Sequence, residues 1–282
     1  MTLSNTFIEK LSNSFQTYQI PNEEYILKIA NYLATISPVE YQLEAKPFSE
    51  SVTIIEDLLA TINPEYLILF KQMLIEQNQD NPVIYVYNSG SKDNNRNESF
   101  TFANELHIYK TDNISDVFLL LHEFTHFLIN REKSYTDNKI NNEIAPILME
   151  FIIANHLNDY NYLKQRLYYL IHDAKSLLIK KSIISGNYNL AELYAKYNFT
   201  KEEIKEFEDD LLYSKSLKYE EERNYLYGFL NAYYFSLNNS IENYLELVNR
   251  LTKNRSIPFP ELPLTILEDL YQQLSNTNNK NL

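Results

Sequence analysis

Residues 111–157 read TDNISDVFLLLHEFTHFLINREKSYTDNKINNEIAPILMEFIIANHL, two apolar runs on either side of a polar connector. The first run carries His122-Glu123-Phe124-Thr125-His126, an instance of H-E-x-x-H. On an α-helix, positions i and i+4 share a face, so this spacing aims both imidazoles at one point. Val117–Leu121 before the motif and Phe127-Leu128-Ile129 after it predict a helix over 114–130 that is buried in a core. Two neutral imidazoles suit Zn²⁺, and Glu123, beside the first of them, is placed to take a proton from a water held there.

A zinc site that keeps one position open for water needs a third protein ligand. In the second run, Asn141 and Asn142 are residue types that start helices, and Ile144, Ile147, Leu148, Phe151 and Ile152 recur at helical spacing. A helix over 142–158 follows. Pro146 fits only near its first turn, which puts Glu143 at the helix mouth. We therefore read His122, His126 and Glu143 as the ligands of one Zn²⁺ per chain. Glu150, seven residues on and on the same face, is read as the carboxylate that receives a ligating histidine's other N–H. The plainer reading of Glu143 is a helix-start acid favoured by the helix dipole.

HEFTH followed by E-I-A-P-I-L-M-E resembles the thimet oligopeptidase and oligoendopeptidase F family of zinc peptidases. That family pairs an H-E-F/L-G-H helix with a helix bearing E-x-x-[PS]-x-x-x-E. Residues 48–77 are similar to the paired helices upstream of the family's catalytic region, with Pro64-Glu65-Tyr66 at the inter-helix turn. Residues 111–126 are similar to its run into the zinc helix, and YGFLNAYYFSL at 227–237 to the segment that closes over the substrate carbonyl. The likeness spans roughly residues 45–240, and only its zinc motifs are specific. It implies a mainly α fold, a helical zinc-peptidase catalytic domain of the gluzincin type with a small β-hairpin or sheet beside the active-site helix. It also implies hydrolysis of peptide bonds, with Glu123 as general base and a tyrosine, Tyr233, hydrogen-bonding the oxyanion.

The chain departs from the family in several places. Thr125 stands where the family has glycine, and is expected to tighten packing against a neighbouring helix. The step from His126 to Glu143 is shorter than usual. Aligned on Gly228 and the Tyr233-Tyr234 pair, a family histidine position falls on Asn224, and two tyrosine positions fall on Phe229 and Ser236. Tyr233 keeps its place, with Tyr225 and Tyr227 nearby. Family members are also much longer, with a second lobe that roofs the channel. Their length implies a more open cleft here, suited to a larger partner or to one dedicated peptide.

The chain has 282 residues and a formal charge of −13, with a pI near 4.9. Such a charge argues against nucleic acid and anionic membrane as partners and mildly favours a basic or neutral peptide. Cysteine is absent, which excludes disulfides, and the N-terminus lacks a secretory signal pattern. No apolar run reaches bilayer-spanning length. The expectation is a cytoplasmic protein. Its 24 tyrosines and three glycines are most simply composition bias in a helical chain.

Amphipathic periodicity predicts helices over 3–17, 22–36, 48–61 and 64–78, then 160–184, 187–196, 200–214, 218–237, 240–252 and 264–274. PVIYVYN and FANELHIYK, within 82–110, read as a hairpin-like pair around the polar loop 89–99. We treat 1–282 as one catalytic unit, with N-terminal helices over 1–80, the β region and zinc-site helices over 81–158, and a helical part over 159–282. His107, His156 and His172 lack ligand spacing and read as structural. Two other readings stay open. One is a weak or inactive relative that binds a peptide or protein, motivated by Asn224, Phe229 and Ser236; the other is a zinc hydrolase acting on another bond. Oligomeric state is not legible.

Overall fold

The computed structural model describes residues 23–76, 83–88, 99–102, 105–131, 142–186, 188–213, 219–237, 240–253 and 261–276. The helix expected over 3–17 and most of the loop 89–99 lie outside them. Helices α1 (Glu23–Leu33), α2 (Phe48–Ile62) and α3 (Pro64–Glu76) precede strands β1 (Ile84–Asn88), β2 (Phe100–Phe102) and β3 (Glu105–Lys110). Then come α4 (Ser115–Asn130), α5 (Ile144–Leu157), α6 (Asn161–Ile184), α7 (Leu190–Lys196), α8 (Lys201–Tyr213), α9 (Tyr219–Ser236), α10 (Ser240–Lys253) and α11 (Thr265–Asn276). The architecture is mainly helical with a small sheet, and each described helix lies within a few residues of its periodicity.

The two helices of the opening stretch form the centre. Along α4, residues on every side are buried, including Phe118, Leu121 and Phe124, each fully shielded. α5 is buried without interruption from Ile144 to Ala154. A helix apolar all round belongs in a core, and each such side chain contributes about 1.5–3 kcal/mol through burial. α4 packs on α5, α9 packs on α5, and α10 touches both, while α2 and the sheet cover the other side of α4. The start of α4 is fastened by Asp116. Its buried carboxylate accepts from Thr111 N and Thr111 Oγ1, both at 2.8 Å, and from Asp112 N at 2.9 Å.

The sheet corrects one expectation. β1 and β3 are parallel, with Ile84 opposite Leu106 and Asn88 opposite Lys110; the hairpin is instead β2 with β3, Phe102 opposite Glu105. The run FANELHIYK is not one strand, because Phe102 belongs to β2 and Glu105 begins β3. β3 thus returns to the middle, in the order β1-β3-β2. It holds the fully buried Leu106 and Ile108, so the most buried strand occupies the slot where both hydrogen-bonding edges are satisfied. The other face is an aromatic ladder in which His107 stacks between Tyr85 at 4.7 Å and Phe100 at 4.5 Å, between ring centroids. His107 is therefore a packed strand residue. Thr101 alternates to the opposite face, toward α4.

Candidate active site

One turn of α4 separates His122 and His126, and their Nε2 atoms lie 3.1 Å apart. Glu143 sits immediately before α5, where it makes no side-chain cap. Its carboxylate faces the histidines instead, with Oε2 at 3.3 Å from His122 Nε2 and Oε1 at 3.6 Å from His126 Nε2. The three predicted ligands thus offer donor atoms that all lie within 4.8 Å of one another. Two ligands of a tetrahedral zinc, at about 2.0–2.1 Å each, stand roughly 3.3 Å apart, so the spacing fits such an ion. Glu143 Oε2 is also buried, with no hydrogen bond in the protein beyond the long 3.3 Å approach of His122 Nε2, which leaves a lone pair suited to a cation.

The approach of Glu143 to α4 depends on Gly228 of α9. A Cβ at that position would stand 2.8 Å from Glu143 Cβ and 3.1 Å from Ile147 Cδ1. Glycine in mid-helix is unfavourable by about 1 kcal/mol relative to alanine, so close helix contact is the physical reason for it here.

Behind the ligands lies a chain of ionic hydrogen bonds. His122 Nδ1 is 2.7 Å from Glu150 Oε1, and Glu150 is completely buried. Arg166 of α6 grips the same carboxylate twice, Nε to Oε2 at 3.1 Å and Nη2 to Oε1 at 2.9 Å. Burial opposes charge on Glu150, yet the Arg166 cation and the His122 hydrogen bond hold its pKa below the ordinary value. Burial likewise opposes the His122 imidazolium, but its hydrogen bonds to Glu143 and Glu150 and the charges of those carboxylates raise its pKa to about 10. Glu143 is pushed low: desolvation works against its anion, and the charge of His126 and the His122 hydrogen bond outweigh it. In the absence of a metal the two carboxylates favour the protonated form of His122.

Glu123 is buried beside His122, and its carboxylate is engaged by a residue that periodicity alone did not single out as functional. Thr101 of β2 places its hydroxyl 2.7 Å from Glu123 Oε2 and 2.9 Å from the Glu123 carbonyl oxygen. The signal was the alternation Phe100-Thr101-Phe102, which turns the threonine inward. A cavity of about 480 Å³ opens next to this pair, between α4, α6 and α9. Its walls include His122 and Glu123, Tyr162 and Arg166, and Tyr225 of α9, whose ring lies 5.0 Å below the Arg166 guanidinium.

The downstream segment is arranged differently from the expectation. Tyr233 is buried and packs at a tilt on Phe151, 5.5 Å between ring centroids, and it does not line the cavity. Burial and the nearby charge of Asp269 push its pKa up to about 12. Phe229 packs on the same ring, and Ser236 Oγ donates to the Tyr233 carbonyl within the helix. Asn224 is buried with Oδ1 unpartnered. The tyrosine of this segment that reaches the cavity is Tyr225. His172, read as structural, also lines it, whereas His156 is exposed near the end of α5. Thr125 is fully buried and bonds Tyr244 OH of α10 at 3.0 Å, in line with the tighter packing expected at that position.

No protein-family model matches the chain, and no curated protein sequence matches it. Solved structures do. The structure of PZ peptidase A with an inhibitor superposes with a TM-score of 0.55 at 12% identity, covering 100% of this chain and 60% of that one. An oligoendopeptidase F structure superposes with a TM-score of 0.55 at 10% identity, covering 100% of this chain and 59% of that one. The fold is that of these peptidases. The chain spans about 60% of their length. Among the described residues, no helix is long and apolar enough to cross a membrane.

Proposed function

We propose that the chain is a zinc-dependent peptidase, one catalytic unit acting on peptides or on an exposed segment of a protein. The observation that carries this reading is the convergence of His122, His126 and Glu143 on one point, with the Glu123 carboxylate alongside at the head of a cavity. His122, His126 and Glu143 would hold the ion. Bound there, zinc supplies a Lewis acid for the scissile carbonyl and acidifies a water.

The remaining chemistry belongs to the protein. Glu150 accepts the Nδ1 proton of His122 and so presents the Nε2 lone pair toward Glu143 and His126. Thr101 occupies Oε2 of Glu123, which leaves Oε1 to take the proton of the attacking water. As the water oxygen bonds to the carbonyl carbon and the C–N bond breaks, that proton passes to the leaving nitrogen. Of the hydroxyls on the cavity wall, Tyr225, from the downstream segment, is the one we assign to donate to the developing oxyanion, in place of Tyr233.

Elemental analysis of purified wild type beside His126→Ala tests the site. About one zinc per chain, lost in the variant, is expected. Glu123→Gln should retain the metal and lose cleavage of a peptide library by at least about a hundredfold. Full activity in Glu123→Gln would sink the mechanism. The second reading, a peptide binder of little turnover, is favoured by the burial of Tyr233 away from the cavity; bound zinc with no cleavage of any peptide would select it.

A further inference from the structure

The cavity extends well past the reacting groups. Its α6 wall runs from Tyr162 to Ser176, and at about 1.5 Å per residue this is roughly 20 Å of helix. The far end is built from polar residues that the proposed peptide hydrolysis does not use. Glu222 of α9 is buried there, and its Oε1 accepts from Ser176 Oγ at 2.8 Å and from the buried Lys180 ammonium. Its Oε2 has no hydrogen-bond partner in the protein. His172 lines the same end, and its Nε2 is likewise shielded from solvent and unpartnered. A buried polar atom left unsatisfied costs about 1–3 kcal/mol, so two in one cavity mark a place where a ligand completes the bonding.

The chemistry of that ligand follows from the acceptors and the charge. Glu222 Oε2 needs a donor, which excludes an acidic or an apolar group. Among the described residues of its α6 and α9 walls, Arg166 is the lysine or arginine that lines the cavity, and it is already bound to Glu150. Lys180 answers only Oε1 of Glu222. We propose that the far end of the cavity is a subsite for a basic side chain of the peptide. An ammonium or guanidinium donates to Glu222 Oε2 and to His172 Nε2. Shielding from water strengthens both bonds. Measured along α6 from Arg166, His172 and Ser176 lie about 9–15 Å away, so a side chain of arginine length fills the gap when its residue is one to three positions from the cleaved bond.

This inference rests on the peptidase reading, and the test separates the two. Zinc-loaded Glu123→Gln protein is titrated by fluorescence anisotropy with labelled hexapeptides of alanine and glutamine. One residue, at each position in turn, is arginine, lysine, citrulline, norleucine or glutamate. At one position, arginine and lysine should bind at least about tenfold more tightly than citrulline, norleucine or glutamate. Adding Glu222→Gln with Lys180→Met, which removes the buried pair together and keeps its volume, should reduce that ratio below about threefold. His172→Met provides a second variant that leaves the ion pair intact, and it should also lower the ratio. No position with a basic preference, or an undiminished preference in both variants, overturns the subsite. Cleavage of the same peptides by wild type without any basic preference sinks the subsite alone. Selective binding of basic peptides with no cleavage by wild type sinks the peptidase reading alone.

Discussion

His122 is flanked by two carboxylates of one chain segment, Glu143 on Nε2 and Glu150 on Nδ1, and its protonation follows from them. Its pKa of about 10 lies above the ordinary value of 6.5, so the metal-free protein carries the imidazolium at neutral pH. The contribution of that charge to stability is complete below about pH 6.5 and disappears as the pH rises through about 10. A zinc ion must displace the proton. Calorimetric titration at pH 7 in buffers of different ionisation enthalpy should show close to one proton released per zinc, with affinity falling about tenfold per pH unit lowered. Thr101 belongs to the same scale. Replacing it with valine removes the only hydroxyl on Glu123 Oε2 among the described residues, and should lower kcat by about tenfold while KM stays near its wild-type value. Thr101→Ser should restore it, since serine keeps the donor; an unchanged kcat in the valine variant would remove Thr101 from the mechanism.

Helix contacts decide whether these residues meet. α9 lies against the start of α5 through Gly228, where a methyl group would fall 2.8 Å from Glu143 Cβ. Alanine there gains about 1 kcal/mol of helix propensity, but the overlap costs about 1–3 kcal/mol and forces Glu143 aside. Gly228→Ala should therefore lower the melting temperature and weaken zinc binding together; a more stable protein with unaltered zinc affinity would refute the contact. α4 and α10 are joined through Thr125 and Tyr244, both fully buried. Thr125→Val leaves the Tyr244 hydroxyl without that partner and should destabilise by about 1–2 kcal/mol. Tyr244→Phe on the valine background should add little, and a denaturation double-mutant cycle measures this coupling.

The proposed metal site would join separate elements of the fold. Its ligands would come from mid-α4 and the start of α5, while Arg166 of α6 supports Glu150 and Gly228 of α9 contacts Glu143. A ligand that binds only the folded chain stabilises it by about 4 kcal/mol at a thousandfold excess over Kd. Removing zinc with a chelator should thus lower the melting temperature by on the order of 10 °C, and readdition should restore it. No shift on chelation, with zinc present beforehand by elemental analysis, would show that the ion does not fasten these helices.

The sequence alone determined what local periodicity and fixed spacing can express. His122 and His126 share a face because a helix repeats every 3.6 residues, and that helix forms because its flanks are apolar. Pro146 set the start of α5, which brought Glu143 to its mouth and Glu150 to the same face. The likeness of HEFTH and EIAPILME to oligoendopeptidases pointed to the fold that the superposed peptidases share. Only the tertiary structure decided which residues meet across distant segments. Arg166 on Glu150, Thr101 on Glu123, and Tyr225 in place of Tyr233 at the cavity all depend on how helices and strands rotate when packed. The parallel pairing of β1 and β3 was hidden for the same reason. Alternation specifies which face of a strand is buried, whereas its neighbour and direction are set by which strand has both edges covered.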